Sequence, residues 1–145
     1  MPKLIHILLV EDDMLDAIDI QRKLDKLGLY YQLHHVKNGE EALDFLLGTD
    51  PLGLTITPDI VLVDLNMPKM NGLELLETIR SHERLKDLKC FVITTSDDRV
   101  EKRTAEALQI SGYIIKPLKL TNPSSMDAFN LIIDLMNLKT AQDKV

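Results

Sequence analysis

Asp64 ends the apolar run Ile60-Val61-Leu62-Val63 and is followed by Leu65-Asn66-Met67-Pro68. Other apolar runs end in equally reactive groups. Ile5–Val10 leads into Glu11-Asp12-Asp13, Cys90-Phe91-Val92-Ile93 into Thr94-Thr95, and Gly112–Ile115 into Lys116-Pro117. A carboxylate at the end of a buried strand is costly unless a cation, a donor or water meets it. If these runs are neighbouring parallel strands, Glu11, Asp12, Asp64, Thr94 and Lys116 converge at one edge. Acids packed that closely repel until a divalent cation joins them, and oxygen ligands with room for water suit Mg²⁺ or Mn²⁺. Asp64 is then equipped to attack a phosphoryl group and form an acyl phosphate. Lys116 adds a positive charge, and Thr94 a hydrogen bond, to the phosphoryl oxygens.

The elements that must position these groups follow from the hydrophobic pattern. Ile5–Val10, Gln32–Val36, Ile60–Val63, Cys90–Thr94 and Gly112–Ile115 read as short strands. Helical spacing joins Met14, Leu15, Ala17, Ile18, Leu24 and Leu27 in a first helix, capped by Asp12 or Asp13 and ended by Gly28. Ala42, Leu43, Leu46 and Leu47 mark a second helix behind Asn38-Gly39, and Leu73, Leu76, Ile79 and Arg80 a third behind Asn71-Gly72. Arg99–Leu108 is a polar fourth helix with a weak apolar stripe. Met126, Phe129, Ile132, Ile133 and Met136 give a fifth, capped by Ser124 or Ser125. Gly48–Pro58 reads as a loop and residues 139–145 as a frayed tail. Strands alternating with helices imply parallel crossovers. The expected fold is α/β: a three-layer sandwich with a flavodoxin-like, doubly wound, parallel five-stranded sheet in the order 2-1-3-4-5. That order makes the first, third and fourth strands neighbours at the switch point, where ligands bind. His34 and His35 are adjacent on a strand, point to opposite faces, and cannot chelate one metal together. His6 is expected near the sheet's edge layer rather than as a ligand.

The chain has 145 residues, the size of one domain, and residues 1–145 are read as such. A formal net charge of −6 argues against nucleic-acid binding, which needs a basic surface. No apolar run approaches the roughly 20 residues needed to span a bilayer, so no membrane role is expected. Met1-Pro2-Lys3-Leu4 runs straight into a strand with no leader, which points to the cytoplasm. Cys90 is the only cysteine and is expected to be a buried thiol.

Taken together, Val10-Glu11-Asp12-Asp13, Asp64-Leu65-Asn66-Met67-Pro68-Lys69-Met70-Asn71-Gly72, Ile93-Thr94-Thr95 and Tyr113-Ile114-Ile115-Lys116-Pro117 resemble the signature blocks of receiver domains of two-component response regulators. The resemblance covers nearly the full length. It implies that Asp64 is the phosphoacceptor and that Glu11, Asp12, Asp64 and the backbone carbonyl of Asn66 hold Mg²⁺. It implies that Thr94 is the switch hydroxyl, Tyr113 the switch aromatic and Lys116 the phosphate-sensing lysine, with a cis Lys116–Pro117 bond. The phosphoryl donor would be a sensor histidine kinase or a histidine phosphotransfer protein. The output would be a reshaped face of the fourth helix, fifth strand and fifth helix that binds a partner or a second copy. Such a protein is not a turnover enzyme; it catalyses only its own phosphorylation and slow dephosphorylation. His34-His35-Val36, Ala42-Leu43-Asp44-Phe45-Leu46, the loop before Pro58 and Thr94-Thr95-Ser96-Asp97 more narrowly resemble single-domain receivers serving phytochrome-type sensor kinases.

Other readings compete. Haloacid-dehalogenase-type phosphatases also use an Asp nucleophile with Mg²⁺, but require a second Asp two residues on, where this chain has Asn66. A phosphorylation-independent scaffold is the other alternative, although each reactive position carries a competent residue. Thr95 departs from the Ala or Gly usual in receivers, and its bulk is expected to slow self-dephosphorylation.

Overall fold

Strand and helix alternate throughout the computed structural model, which describes residues 3–48, 56–123 and 125–143. The order is β1 (Ile5–Val10), α1 (Met14–Asp25), β2 (Tyr31–Val36), α2 (Gly39–Leu47), β3 (Ile60–Val63), α3 (Gly72–Ser81), β4 (Cys90–Thr94), α4 (Arg99–Ala107), β5 (Gly112–Ile115) and α5 (Met126–Asp143). The strands form one five-stranded sheet in the order β2-β1-β3-β4-β5, every pairing parallel. The expected fold and strand order are therefore found.

Side chains alternate across the sheet because a strand repeats every two residues. Leu8, Val10, Val61, Val63 and Val92 face the layer with Ala42, Leu46, Leu76 and Ile79. Ile7, Leu9, Ile60, Leu62, Phe91 and Ile93 face the opposite layer with Ala17, Ile20, Leu24, Leu131 and Leu135. Each Val, Leu, Ile or Phe side chain among these, fully buried, contributes about 1.5–3 kcal/mol. Cover on both faces is why these strands read as unbroken apolar runs. The register pairs Val10 with Val36 and with Val63, and Thr94 with Ile115, so the reactive residues after each strand emerge along one rim.

The structure decides several points that helical spacing left open and corrects others. The buried face of α5 is Ala128, Leu131 and Leu135, whereas Met126, Phe129 and Ile133 are exposed. In α1 the buried residues are Ala17, Ile20 and Leu24, while Met14, Leu15 and Ile18 point outward. Both helices carry apolar residues on two sides, and spacing alone did not say which side the sheet covers. The frayed tail expected over 139–145 is helical up to Asp143, with Thr140 Oγ1 donating to the Met136 carbonyl at 2.9 Å. β2 starts one residue earlier than expected, at Tyr31, and α4 ends one earlier, at Ala107. Asp13, not Asp12, caps α1, accepting from the N–H groups of Leu15 and Asp16. Ser125 Oγ accepts from Ala128 N at the start of α5. Ser124 and residues 49–55 of the expected loop lie outside the described residues.

Arg80, which fits the amphipathic pattern of α3, acts as a clamp. Its guanidinium donates to the carbonyls of Leu108, Lys86, Leu88 and Gln109 at 2.7–3.2 Å, tying α3 to the segments before β4 and β5. His6 Nδ1 and His34 Nε2 are 2.9 Å apart, bridging β1 and β2. His35 turns the other way, with Nε2 at 2.7 Å from the Glu11 carbonyl. Cys90 is buried and free, as expected.

Candidate functional site

Asp64 is held from both sides of the backbone. Its N–H donates to the Val10 carbonyl at 3.0 Å, continuing the sheet beyond β3. Its Oδ1 accepts from the Asn66 N–H at 3.2 Å, so the turn after the strand aims the carboxylate outward. Gly72, the first residue of α3, lies so close behind that a Cβ there would meet the Asp64 carbonyl oxygen. Asp64 is 7% exposed. Glu11 is 1% exposed and takes the Asp13 N–H on Oε2 at 3.1 Å.

Glu11, Asp12 and Asp64 each offer a carboxylate oxygen within 4.8 Å of the others. Three anionic oxygens so placed suit a hard divalent cation such as Mg²⁺ or Mn²⁺, with open positions for water or a phosphoryl oxygen. Burial pushes the Glu11 carboxyl up to about 7, and the Asp64 charge adds to this, against the hydrogen bonds from Lys116 and from the Asp13 N–H. The Glu11 carboxyl therefore holds a proton more tightly than an ordinary carboxyl does.

Lys116 reaches the same cluster from the end of β5. Its N–H donates to the Thr94 carbonyl at 2.8 Å, and the Lys116–Pro117 peptide bond is cis. The ammonium lies 2.6 Å from Glu11 Oε1, 2.7 Å from Asp16 Oδ2 and 3.2 Å from Asp64 Oδ2. Burial alone would lower its pKa, but hydrogen bonds to Asp16 and Glu11 and the charge of Asp64 outweigh that, so the amine stays protonated. Asp16 was not singled out in the sequence, where it reads as one more acid in the first turn of a helix.

Thr94 is fully buried at the end of β4, its Oγ1 accepting from the Ser96 N–H at 3.2 Å. Tyr113 is buried as well, and its hydroxyl donates to the Ser96 carbonyl at 2.9 Å. Burial raises its pKa, and the charges of Glu101, Asp97 and Asp98 add to this, against the hydrogen bond to Ser96. Ser96 thus links the two residues: Thr94 takes its N–H and Tyr113 holds its carbonyl. Thr95 is exposed and, with Asp16, Lys116 and Pro117, lines a pocket of about 240 Å³.

Residues 7–124 match the model of the response regulator receiver domain. The chain belongs to that family. Over 112 residues it is 38% identical to the probable methanogenesis regulatory protein FilR2 of Methanothrix harundinacea, covering 77% of this chain and 72% of that protein. A chemotaxis protein CheY homologue of Campylobacter jejuni is 32% identical over 77% of this chain and 80% of its own length. Among solved structures, the Mn²⁺-bound form of response regulator Rcp1, a Synechocystis sp. protein, aligns with a TM-score of 0.74 and 29% identity, covering 88% of both chains. The phosphorylated cyanobacterial phytochrome response regulator RcpA aligns with a TM-score of 0.75 and 27% identity, covering 97% of this receiver and 94% of RcpA. The chain is thus a receiver of two-component signalling and not a conventional enzyme. Family membership also decides against the haloacid-dehalogenase reading. Among the described residues no helix is long and apolar enough to cross a membrane.

Proposed function

We propose that this receiver takes a phosphoryl group on Asp64 from the phosphohistidine of a sensor kinase or phosphotransfer protein. The observation that carries this reading is the convergence of Glu11, Asp12, Asp64 and the Lys116 ammonium at one rim of the sheet. An Asp64 oxygen attacks phosphorus, the P–N bond to imidazole breaks, and the released ring takes a proton from solvent. Glu11, Asp12, Asp64 and the Asn66 carbonyl would hold Mg²⁺, which neutralises phosphoryl charge when bound. Lys116 contributes the opposing charge from the β5 side, and the Thr94 hydroxyl turns from the Ser96 N–H toward the new phosphoryl oxygen.

The output follows from the Ser96 link. Moving Thr94 shifts the loop whose carbonyl Tyr113 holds, and the inward Tyr113 seen here becomes the favoured position. The reshaped face is α4–β5–α5, where Val100, Ile115, Met126, Phe129 and Ile133 are exposed and available to a partner or a second copy. The likeness to the phytochrome response regulator RcpA supports a phytochrome-type kinase as donor. We read the 145 residues as one receiver acting in the cytoplasm beside that kinase.

Phosphotransfer profiling against purified, phosphorylated histidine kinases of the host tests this, with Asp64→Asn as control. Rapid transfer from one kinase, absent in Asp64→Asn, is expected. Transfer from none, or turnover of small phosphate esters instead, would overturn it.

A further inference from the structure

Asp16 has a closer hold on the Lys116 ammonium than Asp64 has, at 2.7 Å against 3.2 Å. An ammonium carries only three N–H donors, and here they meet Glu11, Asp16 and Asp64. The placement of Asp16 is built into the start of α1, since its backbone N–H donates to the capping Oδ1 of Asp13 at 3.1 Å. The two other partners differ in kind. The Glu11 side chain is 1% exposed and has nowhere to go, whereas that of Asp16 is 41% exposed and can rotate into water.

Resting on the reading of Asp64 as phosphoacceptor, we propose that Asp16 is a positioning residue that holds Lys116 toward α1 and competes with the phosphoryl oxygens for its ammonium. A phosphoryl group on Asp64 needs an N–H of Lys116, and Asp16 is the partner that gives one up. Until it does, its own negative charge, held on the same ammonium as Asp64, opposes the phosphoryl group. Asp16 therefore sets how firmly the phosphorylated form is held. It takes no part in the phosphoryl transfer itself.

Asp16→Asn, Asp16→Ala and Asp16→Glu test this. Each is titrated with beryllofluoride, an acyl-phosphate mimic, at saturating Mg²⁺, and amide spectra report both folding and binding. The Lys116 ammonium signal is followed separately by ¹H–¹⁵N spectroscopy without Mg²⁺. The Asn and Ala variants are expected to bind beryllofluoride about two- to fivefold more tightly than wild type, the scale of a half-exposed ion pair. Asp16→Glu should lie between them and wild type. The ammonium signal, protected in wild type, should broaden in Asn and Ala and return in Glu. Equal or weaker binding by Asn and Ala, or an unchanged ammonium signal, would overturn the role given to Asp16 and leave the phosphoacceptor reading standing. If wild type itself takes up no beryllofluoride, both fall.

Discussion

No side chain fits between Gly72 and the backbone of Asp64: a methyl group at residue 72 would collide with the Asp64 carbonyl oxygen and come within 2.8 Å of Leu65 Cα. The start of α3 is therefore pressed against the proposed phosphoacceptor. Gly72→Ala should destabilise the fold by about 1–3 kcal/mol, the usual cost of overpacking. It should also weaken Mg²⁺ binding, because the displaced backbone carries the Asp64 carboxylate with it. Urea unfolding and a Mg²⁺ titration check the two effects. Unchanged stability would mean that the helix does not bear on Asp64.

Arg80 makes a comparable prediction remote from the chemistry. Removing it strands carbonyls at Lys86, Leu88, Leu108 and Gln109. With water reaching part of that site, Arg80→Ala should cost about 2–3 kcal/mol in chemical denaturation. Arg80→Lys should recover only part of it, since an ammonium cannot span the same carbonyls.

The raised Glu11 carboxyl predicts a pH dependence. A metal ion held by Glu11 would bind the ionised carboxylate, and a proton increasingly occupies Glu11 as pH falls below about 7. Mg²⁺ affinity should therefore fall as pH drops below that value, by about tenfold per pH unit at the limit, with a proton released on binding. Without metal the sign for folding is opposite. A carboxyl raised from 4.5 to about 7 contributes stability at acid pH that is lost as pH rises through about 7. Calorimetric Mg²⁺ titrations in buffers of different ionisation enthalpy measure the proton release, and Glu11→Gln should abolish it.

Thr95 lines the pocket beside Lys116 and is exposed to solvent. Beside the amine proposed to hold a phosphoryl group on Asp64, its branched side chain is expected to narrow the approach of water. Thr95→Ala should shorten the lifetime of the phosphorylated protein severalfold, read by the decay of radiolabelled protein after the donor is removed. An equal or longer lifetime would remove Thr95 from the account of water access.

The strands were legible because a sheet covered on both faces leaves no polar positions in Ile60–Val63 or Cys90–Ile93. The site was legible for a related reason: Asp64, Thr94 and Lys116 interrupt or end such runs, where a polar residue needs a local explanation. Helix faces were harder. In α5, Met126, Phe129 and Ile133 share helical spacing as regular as that of Ala128, Leu131 and Leu135, and only packing on the sheet chooses between them. Asp16 had no signal of its own, because its partner Lys116 is 100 residues away and an acid in a first turn is ordinary. Arg80 was hidden similarly, since a long side chain reaching across to carbonyls leaves no pattern in its own helix.

One carboxylate, that of Asp64, is proposed to carry the transferable phosphoryl group. Phosphorylating the protein with acetyl phosphate and Mg²⁺, trapping the acyl phosphate by borohydride reduction and mapping the product by mass spectrometry tests it most directly. Reduction of residue 64 to homoserine and no incorporation in Asp64→Asn are expected. Reduction at another acidic residue, or undiminished phosphate uptake by Asp64→Asn, would contradict it.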